Sequence, residues 1–181
     1  MTEENPWKKL SSKIVYENPW IQVQEDQVIQ PDGKPGIYGI VNARLATGVL
    51  AMTESNEVYL VGQYRYPTEV YSWEIIEGGS ERDESALETA KRELEEEAGL
   101  IADEWSELGK EFHLSNCFSS ERARVFVARK LHEVQSRPEG TEILKVKKVP
   151  FSEALRMVDS GEIVDAVTII ALFRAQRELE L

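Results

Sequence analysis

Three carboxylates, Glu93, Glu96 and Glu97, stand within five residues of one another in the run Arg92-Glu93-Leu94-Glu95-Glu96-Glu97. On a helix successive residues turn by about 100°, so these three fall within one arc of roughly that width. Like charges three and four residues apart repel by a few tenths of a kcal/mol per pair. A hard divalent cation, which takes oxygen ligands, reverses the sign of that term. The other reading is a solvated acidic face, ordinary in a chain of net charge −12.

These carboxylates need a helix to present them and a loop that lets a cation approach. Gly78 and Gly79 supply backbone without Cβ atoms. Asp83 has the chemistry of an N-cap and Gly99 that of a C-cap. The spacing therefore predicts a helix from about Glu84 to about Ala98, with Leu87, Ala90 and Leu94 as its buried stripe.

In order, Gly78 is followed by five residues and Glu84, then by seven residues and Arg92-Glu93-Leu94, one residue, Glu96-Glu97, one residue, and Gly99-Leu100. This pattern resembles the Nudix box of the Nudix hydrolases at every specified position. The resemblance implies an α+β fold, an α/β/α sandwich around a mixed central sheet. It also implies Mg²⁺, with Mn²⁺ as a substitute, held by Glu93 and Glu97. Glu96 is then a further ligand or the base, and Glu77 adds its backbone carbonyl. Gly78, Glu84, Arg92 and Gly99 take structural places in the box, with an Arg92–Glu84 ion pair fixing the loop to the helix.

The chain's 181 residues suit a sizeable core. Its negative charge argues against a nucleic-acid backbone as partner, and a small phosphorylated substrate held through a cation remains compatible with it. Cys117 is the lone cysteine, so no intrachain disulfide forms. No apolar run approaches the roughly 18 residues of a membrane span, and the N-terminal MTEENPWKKL lacks a signal-like apolar region. A cytoplasmic protein is the expectation.

Alternating patterns at Lys13 to Tyr16 and Ile21 to Gln24, then a turn at Pro31 to Lys34 before Ile37 to Val41, predict an N-terminal antiparallel meander. Residues 1–45 are expected to form this extension and residues 46–181 the hydrolase domain. The resemblance extends to the ADP-ribose pyrophosphatase branch, in which such an extension mediates dimerisation, so a homodimer is expected. Trp7 and Trp20 read either as packed side chains or as interface residues. Val49 to Met52 and Val58 to Tyr64 are expected to form a hairpin, followed by a strand at Trp73 to Glu77.

The GQYRYP and WEIIEGG phrases resemble the corresponding region of that branch. They imply that Arg65 approaches the substrate's phosphates or sugar, since its guanidinium fork matches phosphate oxygens. Glu74 then contacts substrate or orders a loop. Arg44 and Glu121 complete the substrate-binding set. Ser115-Asn116-Cys117 stands where the branch carries Ser-Pro-Gly, a departure that favours other nucleotide sugars such as GDP-mannose beside ADP-ribose. In relatives a glutamate before the strand at Ile143 to Val149 assists catalysis, which points to Glu142 and next to Glu139. A helix at Glu153 to Val158, capped by Ser152 and closed by Ser160-Gly161, precedes a last helix opened by Asp165, whose Val167, Ile170, Ala171, Leu172 and Phe173 are expected in the core.

The function implied is hydrolysis of the pyrophosphate bond of a nucleoside diphosphate sugar, giving a nucleoside monophosphate and a sugar phosphate. Two alternatives stay open: a pyrophosphatase acting on nucleoside triphosphates or dinucleotides, and a sensor that binds nucleotide sugars without cleaving them.

Overall fold

A computed structural model describes residues 4–136 and 143–180. The chain divides into two compact units, one formed by residues 1–44 and 113–122, the other by residues 45–112 and 123–181.

In the first unit, β1 (Lys8–Glu17), β2 (Gln22–Ile29) and β3 (Pro35–Asn42) form an antiparallel meander in that order. Asp32 and Gly33, the latter at φ +85°, make the turn that joins β2 to β3. The 113–122 segment docks on β3: Val41 donates to Phe118 O at 2.8 Å and Tyr38 Oη to Cys117 O at 2.6 Å. Every residue of β1 is exposed, including Leu10, Ile14, Val15 and Tyr16. Trp7 packs edge-on against Tyr38, whereas Trp20 is 74% exposed, so the packed reading fails for Trp20.

The second unit contains a sheet in the order β7 (Ile76–Gly79), β4 (Leu45–Ala51), β10 (Arg122–Glu133), β8 (Leu100–Glu107), with β9 (Phe112–His113) also paired to β10. A three-stranded sheet holds β11 (Lys145–Pro150), β5 (Glu57–Arg65) and β6 (Val70–Glu74). Helix α1 (Ala86–Ala98) covers the face of β4 that carries Val49 and Ala51, where Ala86, Ala90 and Leu94 pack. Gly48 points to the other face, toward Val167 of helix α3 (Ala166–Glu178). Helix α2 (Phe151–Ser160) buries Phe151, Ala154 and Met157. Helices on both faces of the β4 sheet give the expected α+β class.

Several local expectations are corrected. Helix α1 starts at Ala86 under a Ser85 cap: Glu88 N donates to Ser85 Oγ at 3.3 Å and Ser85 N to Glu88 Oε2 at 2.9 Å, a reciprocal capping box. Asp83 instead takes the loop's left-handed position at φ +71°. The predicted hairpin is not a regular one, because β4 and β5 belong to different sheets and ladder pairing between the two segments is limited to a Met52–Val58 bridge. The strand predicted over Trp73 to Glu77 breaks at Ile75, whose N–H leaves the ladder for Thr168 Oγ1 at 3.0 Å. Helix α2 begins at Phe151 with no side-chain cap, so Ser152 lies inside it. Phe173 is half exposed rather than core.

Candidate functional site

Helix α1 and the turn leaving β7 make the site. Gly99, at φ +62°, closes the helix with its N–H on Glu95 O at 3.1 Å. At the other end Ser80 N donates to Leu45 O at 2.9 Å, tying the start of the loop to β4.

Two of the helix carboxylates rest on the last residues of β7. Glu97, 4% exposed, accepts the Glu77 N–H at 3.2 Å. The Glu93 carboxyl occupies the space into which a Cβ on Gly78 would project. Gly78 is therefore required for close approach. At Gly79, by contrast, a Cβ meets nothing within 4 Å among the described residues.

Arg92 is the hub of the remaining charges. Its Nε and Nη2 lie 2.9 and 3.0 Å from the two oxygens of Glu84, Nη1 lies 2.7 Å from Glu93 and 3.0 Å from Glu96, and Nη2 lies 3.3 Å from Gly79 O. The Arg92 hydrogen bonds, supported by the Glu81 N–H and Thr89, hold the Glu84 carboxyl down at about 2. The same contacts, Glu84 first, raise the Arg92 pKa, so its charge is permanent.

Behind the turn lies a polar network that sequence reading missed. Thr168 Oγ1 donates to Glu77 Oε1 at 3.1 Å and accepts the Ile75 N–H, while Asp165 caps α3 by accepting Thr168 N at 2.7 Å. Burial of the Glu77 carboxyl, with Asp165 beside it, pushes its pKa well above the ordinary carboxylate range. The one sequence signal was the capping position of Asp165; nothing local links it to Glu77.

Of the substrate candidates, Glu74 is 2% exposed and turned wholly to Arg65, which donates Nε to its two oxygens at 3.1 and 3.0 Å and Nη2 to Oε2. The Arg65 side chain is 41% exposed. Arg44 and Glu121 fall in the first unit, where Arg44 Nη2 donates to Pro19 O at 3.0 Å and Glu121 N to Ser119 Oγ at 3.0 Å. A cleft of about 490 Å³ in that unit is lined by Ala43, His113, Asn116, Ser119, Ser120 and Arg122. Glu139 and Glu142 lie outside the described residues.

Among the described residues no three His, Cys, Asp or Glu groups stand close enough to form a finished cage. Glu93 and Glu96 are turned to Arg92 instead. The donor set still fits a hard divalent cation: it is all oxygen, its carboxylates meet the glycine end of β7, and Thr47, paired with Gly78 across the ladder, buries a hydroxyl that has no hydrogen-bond partner among the described residues.

A family model described as the NUDIX domain matches residues 42–171, and one described as the nucleoside diphosphate sugar hydrolase N-terminal domain matches residues 7–41. An ADP-ribose pyrophosphatase of Bacillus subtilis is 32% identical over 167 residues, covering 91% of this chain and 90% of that one. Another of Mycobacterium tuberculosis is 32% identical over 170 residues, covering 92% and 81%. A crystal structure of an ADP compounds hydrolase superposes with a TM-score of 0.87 at 21% identity, over 99% of this chain and 97% of that one, a likeness of fold.

Proposed function

This chain belongs to the Nudix hydrolase family, and we propose that it cleaves ADP-ribose with Mg²⁺ held by Glu93 and Glu97. It is a hydrolase of pyrophosphate bonds acting on nucleoside diphosphate sugars. ADP-ribose comes first among substrates because the relatives in Bacillus subtilis and Mycobacterium tuberculosis carry that name. GDP-mannose remains the second sugar nucleotide to test, given Asn116 in place of the branch's proline.

In the reaction a water oxygen attacks one phosphorus and gives up a proton to the carboxylate base, while the bond from that phosphorus to the bridging oxygen breaks and the other phosphate leaves carrying that oxygen. The cation supplies charge neutralisation on the phosphates and a lowered pKa for the attacking water. The residues of this chain do the rest. Glu93 and Glu97 provide ligand oxygens fixed against Glu77 and Gly78 at the end of β7, with the Glu77 carbonyl as a further donor. Glu96, released from Arg92, serves as ligand or base, and Glu142 or Glu139 is the other candidate base. Arg65 neutralises phosphate charge, and buried Glu74 holds its guanidinium in place. Arg92 and Glu84 pin the loop to the helix.

The observation that supports this reading best is the seat of the Glu93 carboxyl in the Cβ space of Gly78, which sets a ligand oxygen against open backbone. The exposed apolar side chains Leu10, Ile14, Val15 and Tyr16 of β1 support a homodimer formed through the N-terminal meander. No described helix is long and apolar enough to cross a membrane.

A screen of nucleotide sugars with Mg²⁺ and Mn²⁺, with products separated by chromatography, tests the proposal. Adenosine monophosphate and a sugar phosphate from ADP-ribose are expected. Inorganic pyrophosphate released from a nucleoside triphosphate as the main product points to the triphosphatase alternative, and binding without turnover points to a sensor.

A further inference from the structure

Thr47 is fully buried in the middle of β4, and its hydroxyl has no hydrogen-bond partner among the described residues. A buried hydroxyl left unpaired is destabilising, and valine fills the same shape without that penalty. Its position is specific. Residues directly opposite one another in an antiparallel pair share a face, and Thr47 is paired with Gly78. The missing Cβ of Gly78 points at the Glu93 carboxyl. Alternation along β4 agrees, because Val49 and Ala51 face helix α1, whereas Gly48 faces Val167 on the other side. The unpartnered hydroxyl is thus on the α1 face of the sheet, beside the strand position where Glu93 rests.

Glu93 Oε1 is held at 2.7 Å by Arg92 Nη1. Serving a cation requires the carboxylate to loosen that contact, after which something must fix its new orientation. We propose that the Thr47 hydroxyl is a positioning group for Glu93: in the cation-loaded enzyme it donates a hydrogen bond to the Glu93 carboxylate. The hydroxyl's cost in the cation-free protein is offset by a bond made only in the loaded one. Thr47 touches no reacting atom and acts through Glu93. The inference rests on the reading of Glu93 as a metal ligand.

The test uses full-length protein and Mn²⁺ as the probe, followed by electron paramagnetic resonance of the free ion, beside calorimetric melting in chelator. Thr47→Val is expected to melt higher than wild type without metal, by about 2–4 °C, and to bind Mn²⁺ roughly tenfold more weakly. Thr47→Ser, which keeps the hydroxyl, restores Mn²⁺ affinity to near the wild-type value. Comparing Thr47→Ser with Thr47→Ala isolates the hydroxyl if the valine variant folds poorly, and the serine form is expected to bind about tenfold more tightly. Equal Mn²⁺ affinity in the hydroxyl and non-hydroxyl variants overturns the proposal, provided wild type binds Mn²⁺ and Glu97→Gln does not. Failure of wild type itself to bind Mn²⁺ overturns the metal reading and the Thr47 proposal with it.

Discussion

Arg92 grips Glu84 with two nitrogens, Nε on one carboxylate oxygen at 2.9 Å and Nη2 on the other at 3.0 Å, joining the loop before helix α1 to the middle of that helix. Its third nitrogen reaches both Glu93 and Glu96, so one guanidinium both anchors the loop and bridges carboxylates that would otherwise repel.

Removing the Glu84 charge therefore loosens the loop. Glu84→Gln is expected to cost about 2 kcal/mol of stability, read as a lowered Tm at neutral pH. The pH dependence follows from the carboxyl's drop from 4.5 to about 2 in the folded protein. Above 4.5 the pair contributes in full, and as pH falls from 4.5 toward 2 the unfolded chain binds a proton that the native carboxyl refuses, so the contribution disappears. Melting curves between these values should show wild type converging on Glu84→Gln. Parallel curves would contradict this account of the pair.

The Glu77 carboxyl gives the opposite sign. Burial and Asp165 raise its pKa, so above the ordinary value of 4.5 the native state keeps a proton that the unfolded chain has released, and stability falls with rising pH. Glu77→Gln mimics the protonated form and keeps an oxygen for Thr168. Its Tm relative to wild type is expected to climb as pH is raised from about 5 into the alkaline range. A constant difference would show that Glu77 titrates normally.

The two glycines of the turn should behave differently. Gly78→Ala places a methyl group on the Glu93 carboxyl and is expected to lower hydrolysis by at least about a hundredfold, a loss of roughly 3 kcal/mol of transition-state stabilisation. Gly79→Ala meets open space and should retain activity within about twofold. Steady-state rates of the two variants side by side check this contrast.

Arg65 and Glu74 form a third testable unit. Arg65→Ala is expected to raise KM for ADP-ribose by about tenfold, the loss of one charge-assisted contact. Glu74→Gln frees the guanidinium and should raise KM less, without abolishing turnover. An unchanged KM in Arg65→Ala would remove it from the substrate site.

What could be read from the sequence were features whose partners are close along the chain. The carboxylate spacing announced the acidic helix, Gly99 its end, and Asp165 the start of α3. Ser85 was overlooked as the helix cap because Asp83, equally suited by residue type, stands two places earlier; only the backbone shows that Asp83 adopts a left-handed loop conformation. The break at Ile75 and the raised Glu77 depend on Thr168, some 90 residues away in sequence. Thr47 carries no local signal at all, since threonine is an ordinary strand former; its meaning comes from standing opposite Gly78. Strand pairing, equally nonlocal, is why β4 and β5 were read as a hairpin.

The central claim is that carboxylates of helix α1 hold the cation that drives pyrophosphate hydrolysis, and Glu97 tests it most directly because it is buried against the Glu77 N–H. The measurement is the rate of ADP-ribose hydrolysis by Glu97→Gln in saturating Mg²⁺, with products separated by chromatography. The account predicts a fall of at least about a hundredfold, equivalent to roughly 3 kcal/mol, with adenosine monophosphate and ribose 5-phosphate as the wild-type products. A Glu97→Gln rate near that of wild type would contradict it.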